Sequence, residues 1–145
     1  MKTKSKIIQI AILLVLAALY WYFNQNQAPQ NLPSSQDALL QDYYHNQISK
    51  KMLKLSGVTI KLLADDLKEP RHQKFILRLA NDMTVLVTHN IDLAPRINSL
   101  NEGDLVEIYG QYEWNDRGGL IHWTHHDPKG RRQGGWIIHN GKKYE

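Results

Sequence analysis

GDLVEIYGQYEWNDRGGLIHWTHH, residues 103–126, holds two strand-like runs on either side of the turn NDRGG. GDLVEIYGQYEW and LIHWTHH follow the period of two expected of strands with one buried face. Upstream, the same period covers Leu53–Leu63, HQKFILRL (72–79) and MTVLVTHN (83–90), and the last two are joined as a hairpin through Ala80, Asn81 and Asp82. Gly57 and Gly110 interrupt the first and fourth runs where a bulge or bend is expected. IDLAPRINSL, between the third and fourth runs, predicts one or two helical turns, with Asp92 as cap and Pro95 in the first turn.

Five strands, a non-strand connector after the third, and glycines that bend two of them predict an all-β domain, a small five-stranded OB-fold-like barrel. Open sheets and small sandwiches are its rivals. Trp136–His139 adds a strand or hairpin, with Asn140 and Gly141 as its turn. Ahead of the barrel, Ser34 stands three residues before Asp37 as a capping box, and Leu40, Tyr44, Ile48 and Met52 recur every fourth residue. A short amphipathic helix over 37–50 is therefore expected, packed on the domain that follows.

The chain has 145 residues, enough for one folded domain with attachments. It starts with Lys2, Lys4 and Lys6, followed by a run from Ile7 to Phe23 that carries no charge. As a helix this run is about 26 Å long, close to the roughly 30 Å hydrocarbon layer. Two readings stand, an uncleaved membrane anchor over 1–23 and a cleaved signal peptide. Tyr20, Trp21 and Tyr22 suit an interface and do not form a small-residue cleavage site, which favours the anchor. The lysines then keep the N-terminus cytoplasmic, predicting a single-pass inner-membrane protein whose body lies in the periplasm. NQNQAPQNLPSSQ, residues 24–36, reads as a flexible linker, leaving 37–145 for the folded domain. There is no cysteine, which excludes a lipoprotein and any disulfide staple. The net charge is +4, but removing the three N-terminal lysines from the 18 basic residues leaves 15 against 14 acidic ones. Electrostatic capture of a polyanion would thus be confined to patches, and nucleic acid fits less well than a small anionic or saccharide ligand. Its basic neighbours would be few: Lys74, Arg78 and Arg117.

HWTHHDPKGRRQGGW, residues 122–136, concentrates histidines, tryptophans and basic residues. At strand geometry His122 and His126 share a face but stand roughly 13 Å apart, too far for one metal ion with bonds of about 2 Å. Pro128 and Gly130 prevent a helix that would bring them together. In an OB-type topology, however, the third and fifth strands run parallel and the ends of distant segments meet. His89 and Asn90, His125, His126 and Asp127, Arg71 and His72, and Asp92 would then gather at one rim, near Arg96. Such a rim could bind a ligand through Arg71, His72, His89, Asn90, Asp92, Arg96 and His122. It could hold zinc or copper through His72, His89 and His126, or hydrolyse a phosphodiester with His125 or His126 as base and Asp127 orienting the ring. Trp114, Trp123 and Trp136 would serve an envelope assembly module.

RHQKFILRL, THNIDLAPRI, GQYEWNDRGGLIHWTHHDPKG and GGWIIHNGKKY, in this order, resemble a bacterial family catalogued as domain of unknown function 3465, over about 52–144. The resemblance implies a small exported or membrane-anchored domain and carries no established activity. Its signature falls on Arg71, His72, His89, Asn90, Asp92, Arg96, His122, His125, His126 and Asp127. A histidine is expected where this chain has Arg132. Together these readings predict an extracytoplasmic binding domain whose ligand contacts a polar, histidine-rich rim. Hydrolase and assembly module are the alternatives.

Overall fold

The computed structural model describes residues 12–21 and 34–145. The chain divides into two compact units, Met1–Asn31 and Leu32–Glu145. In the first, residues 12–21 form an exposed helix, α1. Among the described residues no helix is long and apolar enough to cross a membrane. The expected anchor and the expected linker extend outside the described residues.

The second unit contains α2 (Ser35–His45), β1 (Lys51–Asp66), β2 (His72–Arg78), β3 (Thr84–Asn90), β4 (Leu105–Glu113), β5 (Leu120–His122), β6 (Trp136–His139) and β7 (Lys142–Tyr144). The expected capping box forms, with the Ser34 hydroxyl accepting from the Asp37 amide and the Asp37 carboxylate accepting from the Ser34 amide. The helix thus begins at Ser35, inside the segment expected as linker, and it stops at His45 rather than near Lys50. Asn46 turns its amide group back onto the Asp42 carbonyl, 3.0 Å, and Gln47 follows with φ 53°. The four-residue stripe therefore breaks up, with Leu40 in the core and Met52 on β1.

β1 is longer than its alternating run because it serves two partners. Lys51 to Val58 pair with β4 and Val58 to Asp66 with β2, both antiparallel. It bends at Gly57, where a Cβ would lie 2.5 Å from the Arg78 carbonyl oxygen, and its register with β2 shifts between Thr59 and Lys61. β2 and β3 form the expected hairpin, with Asp82 at φ 62° in its turn. β3 and β5 pair in parallel through Leu86–Leu120 and Val87–Ile121, and β5 returns antiparallel to β4. Five strands thus close a ring in the order β1-β2-β3-β5-β4-β1. β6 extends β4 beyond β5, and β7 folds back on β6 through a turn with positive φ at Asn140 and Gly141.

Alternation places Leu53, Leu55, Phe75, Leu77, Val85, Val87, Val106, Ile108, Tyr112 and Ile121 inside. Each end of the ring is plugged by other elements. α2 contributes Leu40, and its end is tied by the Asn81 amide donating to the Asp37 carbonyl. The connector 91–104 contributes Ile97 and Leu100. It forms turns, not the expected helix, because the Asp92 carboxylate meets Arg71 instead of capping its own segment. The buried Gln73 holds this plug, accepting from the Ile97 amide at 2.9 Å and donating to its carbonyl at 3.0 Å.

β5 ends after three residues, short of the expected LIHWTHH, because Trp123 adopts φ 56°. Thr124 and His125 are both buried while His126 is exposed, so the strict alternation expected over 122–127 does not occur.

Ile97→Ala is expected to cost about 2–5 kcal/mol, since it empties a fully buried site in a plug. Leu105→Ala, at a position 50 % exposed, should stay within about 0.5 kcal/mol. Urea denaturation of the two variants reads the difference.

Candidate functional site

Of the rim histidines, His89 and His125 have ring nitrogens bonded within the fold, while the side chains of His72 and His126 have no hydrogen-bond partner among the described residues. His89 is fully buried at the end of β3. Its Nε2 lies 3.1 Å from the Pro95 carbonyl oxygen, which can only accept, so Nε2 carries the proton. Nδ1 then accepts from the Thr124 hydroxyl at 2.8 Å. Burial, outweighing these bonds and helped by nearby His125 and His72, depresses its pKa to about 4. His89 is therefore a neutral ring that ties β3 to the connector and to the segment after β5.

Arg71 donates to Asp92 through its backbone amide at 2.7 Å and through Nε at 2.6 Å. These bonds, the backbone one first, hold the Asp92 carboxyl below the usual carboxylate range. Asn90 receives the Asp92 amide at 2.9 Å, and His72 pairs with Asn90 across the hairpin. Arg96 makes a forked pair with Asp65, 2.7 and 3.3 Å, and reaches Asn98 at 3.1 Å, pinning the connector to the end of β1. The expected convergence of β2, β3 and post-β5 ends is thus present, but as a set of mutually satisfied bonds.

The stretch after β5 is also held from within. His125 Nδ1 donates to the His126 carbonyl at 2.6 Å, and its ring packs against Trp123 with centroids 4.8 Å apart and planes tilted by 50°. Burial lowers its pKa. The Asp127 carboxylate accepts three backbone amides, from Lys129 at 3.1 Å, Arg131 at 2.8 Å and Arg132 at 3.1 Å. Those amides, Lys129 first, keep it below the usual carboxylate range. Gly135 donates to the His125 carbonyl at 2.9 Å, and a Cβ at Gly135 would collide with the carbonyls of Trp123 and Tyr109. Residues 123–135 thus form a stapled loop in which Asp127 sets the turn by accepting three backbone amides. Among the described residues no three His, Asp or Glu side chains come together as a metal group. The candidate ligands His72, His89 and His126 do not converge, because both nitrogens of His89 are engaged and His126 faces outward on the loop.

The loop instead delivers one side chain to the outer face of β4. The Arg132 guanidinium lies 4.1 Å from the centre of the Trp123 ring and donates to Gln111 Oε1 at 2.6 Å. Gln111 in turn donates to Glu113 Oε1 at 2.6 Å and touches His122 Nε2 at 3.3 Å. His122 Nε2 is 3.4 Å from Glu113. Burial by itself would raise the Glu113 pKa, but the Gln111 amide and His122 outweigh it and keep the carboxyl below its ordinary value. A shallow recess of about 550 Å³ opens here, lined by Lys50, Met52, Gln111, Arg132 and Gln133. Lys50 and Trp123, neither of them glycine, sit at positive φ beside it, and such conformations persist only where surrounding structure imposes them. The face continues along β4 to Tyr109, 6.0 Å from Trp136, whose ring has Lys54 Nζ at 5.7 Å and Lys143 Nζ at 6.0 Å.

Among the expected contact residues, only His122 lies on this face. Gln111, Glu113 and Lys50 carry no sequence mark of a site, although Gln111 and Glu113 occupy outward positions of an alternating strand, whereas Arg132 belongs to KGRRQGG, a basic loop whose composition allows phosphate binding. Their partner Arg132 arrives by a loop whose path depends on two glycines meeting distant backbone.

The depressed His89 pKa gives a signed prediction. The unfolded ring takes a proton near 6.5 and the folded one only near 4, so stability is complete above about pH 6.5 and falls between there and pH 4, by up to about 3 kcal/mol. Denaturation midpoints measured at pH 7, 5.5 and 4.5 should follow this slope, and His89→Gln should flatten it.

A search of curated proteins finds no match to the chain. The family model for a protein of unknown function, DUF3465, matches residues 25–145, and the chain belongs to that family.

Proposed function

We propose that the folded unit is an OB-type barrel acting as a binding module, and that its ligand is a small anion, a carboxylate or phosphate, held in the recess beside Arg132. The strand order and the parallel β3–β5 pair support the barrel. Lys2, Lys4 and Lys6 ahead of an uncharged run support a single-pass inner-membrane anchor that places the module in the periplasm.

The observation that carries the binding reading is the state of Arg132. Stacking on Trp123 and the bond to Gln111 fix the guanidinium, while no carboxylate among the described residues pairs with it. A cation already ordered loses little further freedom on binding, which is where affinity is gained. Its planar fork suits a bidentate oxyanion, and Lys50 supplies a second positive charge at the same recess. Gln133 and the Gln111–Glu113–His122 chain offer polar contacts for the body of the ligand, as a sugar acid would need. Hydrolysis by His125 or His126 has less support, since His125 Nδ1 is bonded inside the loop and the Asp127 carboxylate already holds three backbone amides.

Titrating the full chain in neutral-lipid nanodiscs with inorganic phosphate, glucuronate and glucose, read by amide NMR shifts, tests it. Both anions should shift Gln111 and Arg132 saturably and glucose should not. Arg132→Gln should weaken anion binding by at least about tenfold, the value of a charged hydrogen bond. Equal binding by this variant would sink the proposal. The mass of the chain isolated from membranes tests the anchor, which requires an N-terminus upstream of Ile7.

A further inference from the structure

A second surface lies on the outer side of β1, β2 and β3. Register places Lys61 beside Ile76, Ile76 beside Leu86 and Leu86 beside Leu120, with Leu63 and Lys74 as the next pair. Inward neighbours such as Phe75, Leu77, Val85 and Val87 fill the ring, so Ile76 and Leu86 are only partly covered. The loop between β4 and β5 rises beside them and encloses a pit of about 340 Å³, with Leu63, Ile76 and Leu86 as apolar lining and Thr84, Asn115 and Arg117 among its polar residues.

Two of the polar groups at this pit are donors, the Arg117 guanidinium and the Asn115 NH2, while the Thr84 hydroxyl both donates and accepts. Asn115 Oδ1 accepts the Arg117 amide at 2.8 Å and the Gly119 amide at 2.9 Å, which fixes its orientation and leaves its NH2 group without a protein partner among the described residues. Those two bonds, with the Gly119 carbonyl accepting from the Leu86 amide at 3.2 Å, hold the loop rigidly against β3. The Arg117 guanidinium forms no ion pair among the described residues, and the same is true of Lys61, Lys74 and Arg78 on this face. An apolar pit whose lip carries a guanidinium without an ion pair among the described residues and a free amide NH2 disfavours cations, and a neutral alcohol there lacks the charge-assisted bond that a carboxylate gains. The absence of aromatic side chains from the lining removes the stacking that single-stranded nucleic acid and sugars use.

We infer that this pit binds a short aliphatic chain ending in a carboxylate, a free medium-chain acid, with the chain on Leu63, Ile76 and Leu86 and the carboxylate between Arg117 and the Asn115 amide. Its volume, at the lower end of small-molecule sites, fits such a monomer better than a membrane surface. The site is separate from the Arg132 recess, and neither proposal depends on the other.

The test uses the full chain in neutral-lipid nanodiscs, with methyl-labelled leucine and isoleucine. Sodium octanoate should shift the methyl signals of Leu63, Ile76 and Leu86 saturably. Octanol and octyltrimethylammonium should shift them at least about tenfold more weakly, the loss expected when a charged hydrogen bond is missing. Arg117→Glu, at an exposed loop position, should abolish the octanoate response, and Arg117→Lys should restore part of it. The inference fails if octanol and octanoate act alike, or if Arg117→Glu leaves the response intact. It fails equally if anionic vesicles or oligothymidylate perturb these methyls while octanoate does not. Arg132→Gln should leave the octanoate shifts of the Leu63, Ile76 and Leu86 methyls unchanged, which separates this site from the recess.

Discussion

Closure through β1 is the constraint on which the molecule rests. One sixteen-residue strand pairs with β4 over its first half and with β2 over its second, and the crossing at Gly57 is possible because no side chain stands against the Arg78 carbonyl. Once β1 has bent, β2 and β3 follow as a hairpin, and β5 must slot between β3 and β4. Gly110 lets β5 approach, since a Cβ there would press on Ile121 and the His122 carbonyl. The interior this creates is open at two ends. α2 and the connector 91–104 fill them with Leu40 and with Ile97 and Leu100. Polar side chains near the ends, Gln73, His89 and Asp92, then satisfy backbone groups outside the ladders, while Arg96 ties the connector to Asp65.

The same constraint shapes the histidine-rich stretch after β5. Thr124 and His125 fold inward after Trp123, and Asp127 gathers three amides to close a loop. The loop's product is the placement of Arg132, a side chain with no compositional mark to distinguish it from Arg131 beside it. A fixed guanidinium on an indole ring differs from a solvated arginine mainly in the entropy already removed, and that difference is invisible in residue type.

Much of the fold could be read from residue order. Alternation located all five ring strands, and the turn residues at Asn81–Asp82, Asn115–Gly119 and Asn140–Gly141 separated them correctly. What could not be read were the places where tertiary contacts override local signals. The helix should have run to Lys50 by its stripe, but Asn46 closed it and Lys50 went to positive φ. Asp92 and Pro95 have the marks of a helix start, yet Arg71, twenty-one residues away, captured the carboxylate. LIHWTHH has strand composition throughout and stops at His122 because Gly134 and Gly135 bring a later segment against its carbonyls. Each failure has the same origin, a long-range partner stronger than the nearest neighbours.

The parallel pair between β3 and β5 is only two residues long, and it is the last link in the circle. A ribosome releasing this chain from its N-terminus presents β1, β2 and β3 well before β4 and β5 exist, and β1 waits for a partner some sixty positions downstream, as in the pairing of Met52 with Gln111. β1, β2 and β3 alone leave open the apolar side that β4 and β5 cover. The ring is therefore closed only where Leu120 to His122 stand between β3 and β4.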